Sequence, residues 1–208
     1  MVTALPIPVC CICRAPTRLP FPLCFCCTTV ARQLRLPLVP VVPVADYRLG
    51  DPLHRCLRGY KDAPLAEARR VHVLRLQAML RAWVADDRAA PCFGRRWDTL
   101  VTVPSSRRPT GAPVDAVVGG VPAMGGRLAP VLVRGPTPTD HLVASRWGFE
   151  TADGIDPGWL RGRRVLVVDD TIITGARAQS AAAALRLHGA EVIGVLALGR
   201  VLPSVAVD

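Results

Sequence analysis

Arg164-Val-Leu-Val-Val-Asp-Asp-Thr-Ile-Ile-Thr-Gly-Ala-Arg177 is the stretch that decides the fold. Its opening run, Arg164–Val168, is nearly continuous in apolar character, the mark of a strand covered on both faces of a parallel sheet and placed at the sheet centre. Two acids follow, and a short loop then opens a helix over Arg177–His188, where Ala181-Ala-Ala-Ala-Leu185 favours helix and Gly189 stops it. Glu191–Leu198 returns as a strand. Strand, helix and strand within about 35 residues make a βαβ unit, whose crossover is right-handed. In such sheets ligands bind beyond the carboxyl ends of the strands. The backbone N–H groups of Ile172 to Ala176, the Thr174 hydroxyl and the positive end of the helix suit a phosphate. Acids beside a phosphate repel it unless they accept from hydroxyls or hold a cation. A sugar phosphate bearing a vicinal diol satisfies both conditions. A response-regulator receiver also has two acids after an apolar strand, but there the strand is the first of five and a late lysine is required; neither holds here.

Working outward, Asp98-Thr-Leu-Val-Thr-Val103 alternates and is rich in β-branched residues, a strand stopped by Pro104. Ala129–Val133 reads as a second short strand. Leu65 to about Asp87 carries apolar residues at helical spacing among arginines, opened by Pro64. Gly119, Gly120 and Pro122 interrupt a helix starting near Val114, so the spacing leaves residues 111–126 undetermined. There is no internal repeat, and the class is α/β.

Six of the eight cysteines lie within residues 10–27. Cys10-Cys-Ile-Cys13 and Cys24-Phe-Cys-Cys27 each contain a C-x2-C, and two such knuckles place four thiolates tetrahedrally about one Zn²⁺. Assigning Cys10, Cys13, Cys24 and Cys27 as ligands leaves Cys11 and Cys26 as spares, since their one-residue spacings suit a shared centre poorly. A disulfide or iron–sulfur cluster is the competing reading, disfavoured in a reducing compartment. About 30 residues bury too little surface to fold alone, so the metal's role is structural, in a zinc-ribbon-like module. Leu36–Ala45, with prolines at 37, 40 and 43, reads as an extended connector. The expected organisation is a metal module over 1–35, a linker over 36–45 and the α/β domain over 46–208. Cys56 and Cys92 are isolated and read as small buried residues.

Composition sets the outer limits. Of 208 residues half are apolar and a fifth charged, which excludes disorder. The uncharged runs fall short of the roughly 18 residues a membrane-spanning helix needs. The N-terminus lacks a basic region and a clean cleavage site, so the expectation is a cytoplasmic protein with no membrane insertion. A net charge of +10 invites nucleic acid. However, Lys61 is the only lysine among 26 basic residues and asparagine is absent, a bias that GC-rich codons produce. With no Gly-Lys-Ser/Thr present, a P-loop nucleotidase is excluded. His54, His72, His141 and His188 have no chelating spacing, and the four tryptophans suit packing better than base stacking.

Val167-Val-Asp-Asp-Thr-Ile-Ile-Thr-Gly-Ala176 resembles the 5-phosphoribosyl-1-diphosphate (PRPP) motif of type I phosphoribosyltransferases. With the double C-x2-C in front, the chain resembles the ComF family, competence-associated phosphoribosyltransferase-like proteins with an N-terminal zinc module. Gly59-Tyr-Lys61, Val103-Pro-Ser-Ser-Arg107, Arg146-Trp-Gly-Phe149 and Leu196-Ala-Leu-Gly-Arg200 add to the likeness, which covers nearly the whole chain.

The resemblance implies a Rossmann-like parallel sheet with flanking helices. It implies that the catalytic acids Asp169 and Asp170 meet the ribose hydroxyls and that Thr171, Ile172, Ile173, Thr174, Gly175, Ala176 and Arg177 hold the 5-phosphate. It further implies that Ser105, Ser106 and Arg107 contact the diphosphate and that Mg²⁺ bridges ligand oxygens. The transferase chemistry loses diphosphate through an oxocarbenium-like state, so positioning and charge stabilisation dominate. A DNA-handling accessory that binds single-stranded DNA, with the zinc module on DNA or a partner protein, is the second function the likeness implies.

Three positions depart from the pattern. Ile173 replaces a threonine and removes a hydroxyl. Arg177 replaces another, and two roles are open to it: pairing with the phosphate or filling space. Arg108–Pro113 replaces the Arg-Gly-Phe-Asn element of the catalytic loop, so binding without turnover is one reading of this chain.

Overall fold

The computed structural model describes residues 8–17, 20–86, 93, 97–105, 112–156 and 158–202. The main sheet has four parallel strands in the order β1-β6-β5-β2: β1 Val41–Tyr47, β2 Thr99–Thr102, β5 Arg164–Ile172 and β6 Glu191–Val201. β5 is an interior strand, as its unbroken apolar run requires, with Val165 to Val168 fully buried. Side chains alternate across the pleat. Leu166 and Val168 face one core with Leu196 and Leu198, whereas Val165 and Val167 face the other with Val195 and Ala197.

Helices cover both faces. On the first lie α2 (Pro52–Asp62), α3 (Ala66–Ala85) and two short turns, α4 (Asp115–Gly119) and α5 (Pro122–Gly125), packing Leu57, Leu76, Leu80, Trp83 and Val117 onto the sheet. Each fully buried leucine stabilises the fold by about 1.5–3 kcal/mol relative to an exposed one. On the second face α6 (Ala176–Leu187) presents Ala178, Ala181 and Ala182, small side chains that bring helix and strands close, together with the fully buried Leu185. Its end is closed by Gly189 at φ +84°, with Ala190 N–H donating to the Leu185 carbonyl at 3.1 Å. Among the described residues no helix is long and apolar enough to cross a membrane.

The structure moves three sequence boundaries. The acids lie inside β5 rather than after it, because β6 runs on to Val201 and keeps the ladder paired as far as Ile172. The short strand expected over Ala129–Val133 is Leu132–Arg134 (β3), antiparallel to Phe149–Thr151 (β4). Pro130 has no N–H to donate to a ladder, and only a bridge between Leu128 and Leu100 touches the main sheet upstream of it. The proline-rich run 36–45 is extended, and from Val41 onward it forms β1, an edge strand. Pro43 is tolerated there because an edge strand needs only half its backbone groups.

The cysteine-rich N-terminus continues into α1 (Phe25–Leu34), which is docked on this frame. Val30 and Leu34 pack against Ala144, Ala176 and Ala183. The Val41 N–H donates to the Ile12 carbonyl at 2.8 Å. Arg200, at the end of β6, holds Asp46 through two bonds of 2.7 and 2.8 Å and donates a third to the Cys13 carbonyl.

Candidate functional site

Two constellations stand out, one of thiols and one of carboxylates. The Sγ atoms of Cys10, Cys13, Cys24 and Cys27 all lie within 4.8 Å of one another. Cys13 and Cys24 are 3.7 Å apart, close to the edge of about 3.8 Å that a tetrahedron of ~2.3 Å metal–sulfur bonds would have. The first knuckle is a tight turn, with Arg14 N–H donating to Cys10 O and Cys10 N–H to Ala15 O. The second is the start of α1, where Cys24 is the N-cap and its sulfur accepts from Cys27 N–H. A helix N-terminus favours the thiolate.

The thiols perturb one another strongly. A hydrogen bond from Cys27 draws Cys13 down to about 5 against burial. Burial pushes Cys24 up to about 11, and the bond to Cys13 together with burial raises Cys27. One thiolate is favoured at the expense of its neighbours, a conflict that a dication at the centre removes. The four cysteines can therefore hold a metal ion such as zinc. Cys11 is exposed and Cys26 stands outside the quartet, in keeping with their role as spares, while Cys92 lies outside the described residues.

The carboxylate site lies at the carboxyl end of β5. Pleat alternation sends the two acids to opposite faces. Asp170 points to the α2 side, where its Oδ2 accepts from the Tyr60 hydroxyl and from the Lys61 ammonium. Asp169 is buried, and its Oδ1 accepts from Asp170 N–H at 2.9 Å. Burial, and then the charge of Asp170, push Asp169 up to about 7, with Arg177 and Lys61 opposing. Tyr47 Oη reaches Thr171 Oγ1 at 3.5 Å.

Two hollows flank the acids. The larger, about 410 Å³, is lined by both acids, Thr171, Ile173, Arg177, Pro104 and Ser105, and on the α2 side by Tyr60, Lys61 and Arg58. The smaller, about 70 Å³, is lined by Asp169 and the loop Thr171–Ala178, with no residue of α2. Gly175, the N-cap of α6, adopts φ +83°, which only glycine takes at little cost. That conformation turns the loop about the smaller hollow.

Some side chains in this loop have protein partners. The Thr174 hydroxyl donates to the His141 carbonyl and accepts from Ala176 N–H at 3.2 Å. Arg177 donates to the carbonyls of Pro104 and, at 3.4 Å, Thr139, and its guanidinium lies 5.5 Å from the Phe149 ring centre. Of the two roles open to Arg177, the bonds observed are structural ones, tying the loop after β2 to α6. Ile173 is half exposed at the mouth of both hollows.

Of the residues expected here, Asp169, Asp170, Thr171, Ile173, Arg177 and Ser105 converge on the larger hollow, and Ile172, Thr174, Gly175 and Ala176 on the smaller. Ser106, Arg107 and positions 108–111 lie outside the described residues. Sequence reasoning on the acid pair left out Tyr60 and Lys61 as its partners, along with Tyr47 and His54, whose stacked rings are 6.0 Å apart at the edge of the larger hollow. The available signal was composition, since Lys61 is the only lysine of an arginine-biased chain. No family model matches the chain, and no curated protein matches it either.

Proposed function

We propose that the protein binds PRPP together with Mg²⁺ as a phosphoribosyltransferase-like protein of the ComF kind, with a structural zinc in its four-cysteine centre. The observation that carries this reading is the buried acid pair set between a phosphate-sized hollow and a larger one. Phosphate suits the smaller hollow, where backbone N–H groups and the start of α6 supply positive potential and Arg177 is part of the lining. Two adjacent carboxylates suit a vicinal diol, each accepting from one hydroxyl. The diphosphate then extends into the larger hollow, past Ser105 and Lys61. Mg²⁺, a hard cation that prefers phosphate oxygens and water, would neutralise the diphosphate as it leaves.

Transfer, on this reading, breaks the bond between ribose C1 and the diphosphate oxygen, with the electron pair departing on the diphosphate. An acceptor atom then bonds to C1 and releases its proton. The chain's own part is to hold the ring and place carboxylates near the positive charge that grows on it. Titration calorimetry with PRPP and Mg²⁺ tests the binding step. The expected result is a saturable heat, lost in Asp169→Asn/Asp170→Asn. No heat with the wild type, or equal binding by the double variant, overturns the assignment.

A further inference from the structure

The loop around the smaller hollow does not hold its shape alone. The Thr174 hydroxyl gives its proton to the His141 carbonyl and accepts from Ala176 N–H, so it is committed to shaping the loop. His141 also lines that hollow. Whatever fixes the segment 140–145, between β3 and β4, therefore fixes the hollow.

That segment is held from several sides. Asp140 closes it as a turn, its Oδ1 accepting from Leu142 and Val143 N–H at 2.6 and 2.8 Å. Ser180 ties its far end to α6, with Oγ accepting from Ser145 N–H at 3.0 Å and donating to the Ala176 carbonyl at 2.8 Å. The remaining hold comes from α1, 109 positions away in sequence. Gln33 donates from Nε2 to the Leu142 carbonyl at 3.3 Å, and its Oε1 accepts from Ala144 N–H at 2.8 Å. A side-chain amide carries both a donor and an acceptor, so it pairs with this backbone much as a neighbouring strand would.

The same helix reaches the loop by packing, since Val30 and Leu34 form one buried cluster with Ala144 and with Ala176, the first residue of α6. Gln33 itself is exposed and fills no core. Its contribution is the pair of bonds to the stretch that follows His141. We propose that Gln33 is a positioning residue of the ligand site: by fixing that stretch it seats Thr174 and holds the smaller hollow in the shape a phosphate needs. The helix that begins at the second cysteine knuckle thereby becomes part of the frame of the ligand site. The inference rests on the reading of the smaller hollow as the seat of the 5-phosphate and adds a residue outside the hollow that sets its shape. Losing two ordinary hydrogen bonds that hold a binding loop weakens its ligand by about threefold to tenfold.

The test is a double-variant cycle read by calorimetry with ribose 5-phosphate, on wild type, Gln33→Leu, Thr174→Val and the two combined. Each single variant is expected to weaken binding by about threefold to tenfold, and the combination to stay within about twofold of the weaker-binding single, because both act through one loop. Effects that multiply would show that Gln33 does not act through Thr174 and overturn the proposal. So would unchanged affinity in Gln33→Leu, the result expected of a residue that serves folding alone. If the wild type does not bind ribose 5-phosphate, the site reading fails and the inference with it. If the wild type binds and Gln33→Leu binds equally well, the site reading stands and only the role of Gln33 falls.

Discussion

Asp169→Asn should make the protein more stable at alkaline pH, and the size of the effect follows from where the carboxyl sits. Burial and the neighbouring Asp170 move Asp169 from 3.8 to about 7. The folded protein therefore keeps a proton that the unfolded chain releases, and stability falls as pH rises from about 4, levelling off above about 7. At about 1.4 kcal/mol per pH unit, the full displacement is worth ~4 kcal/mol, of which about 2–3 kcal/mol is lost between pH 5 and pH 8. Asparagine has nearly the same shape, keeps an oxygen for the Asp170 N–H, and cannot ionise. Urea unfolding of wild type and Asp169→Asn at several pH values separates this group from the other carboxylates. The wild-type midpoint should fall relative to the variant across that range, and the curves should meet at low pH. Parallel curves would refute the claim that Asp169 is buried against a like charge.

The metal centre predicts that purified protein contains close to one zinc per chain by elemental analysis and that Cys27→Ala abolishes it; zinc content unchanged by Cys27→Ala would rule out that ligand set. Chelation of the wild type should lower the melting temperature. Arg200→Met removes the bonds to Asp46 and the Cys13 carbonyl. We expect it to lower the melting temperature by about 3–6 °C and to hasten metal release to a colorimetric chelator; unchanged release would mean that the knuckle holds its shape without the sheet.

What was legible in the sequence was what local pattern determines. Apolar run, acid pair, glycine turn and alanine-rich helix are neighbours in the chain, and β5, the Gly175 loop and α6 follow from them with only a shift of the strand boundary. The cysteine quartet was legible for the same reason, since each knuckle is fixed by spacing within a few residues. The partners of Asp170 were not, because Tyr60 lies 110 positions away and meets it only after α2 packs on the sheet. β1 was hidden by its own composition. Proline reads as a break in any strand that must donate on both sides, and only the assembled sheet reveals that Val41–Tyr47 pairs with a neighbouring strand on one side. Arg177 is a third case: the sequence left two roles open to it, and its bonds to the carbonyls of Pro104 and Thr139, set by distant loops, became visible only in the assembled fold, where it also lines both hollows.

The bond from Val41 N–H to the Ile12 carbonyl has a consequence for the life of the protein in solution. An unprotected outer strand is a template on which other chains add, and proteins guard such strands with prolines, charges or a covering segment. Here Pro43 withholds one donor and the first cysteine knuckle lies over the strand's start, pinned there by Arg200. The first cysteine turn thus covers the start of the edge on which another chain would add. Displacing that turn would leave the Val41 end of β1 open to pairing with a second chain.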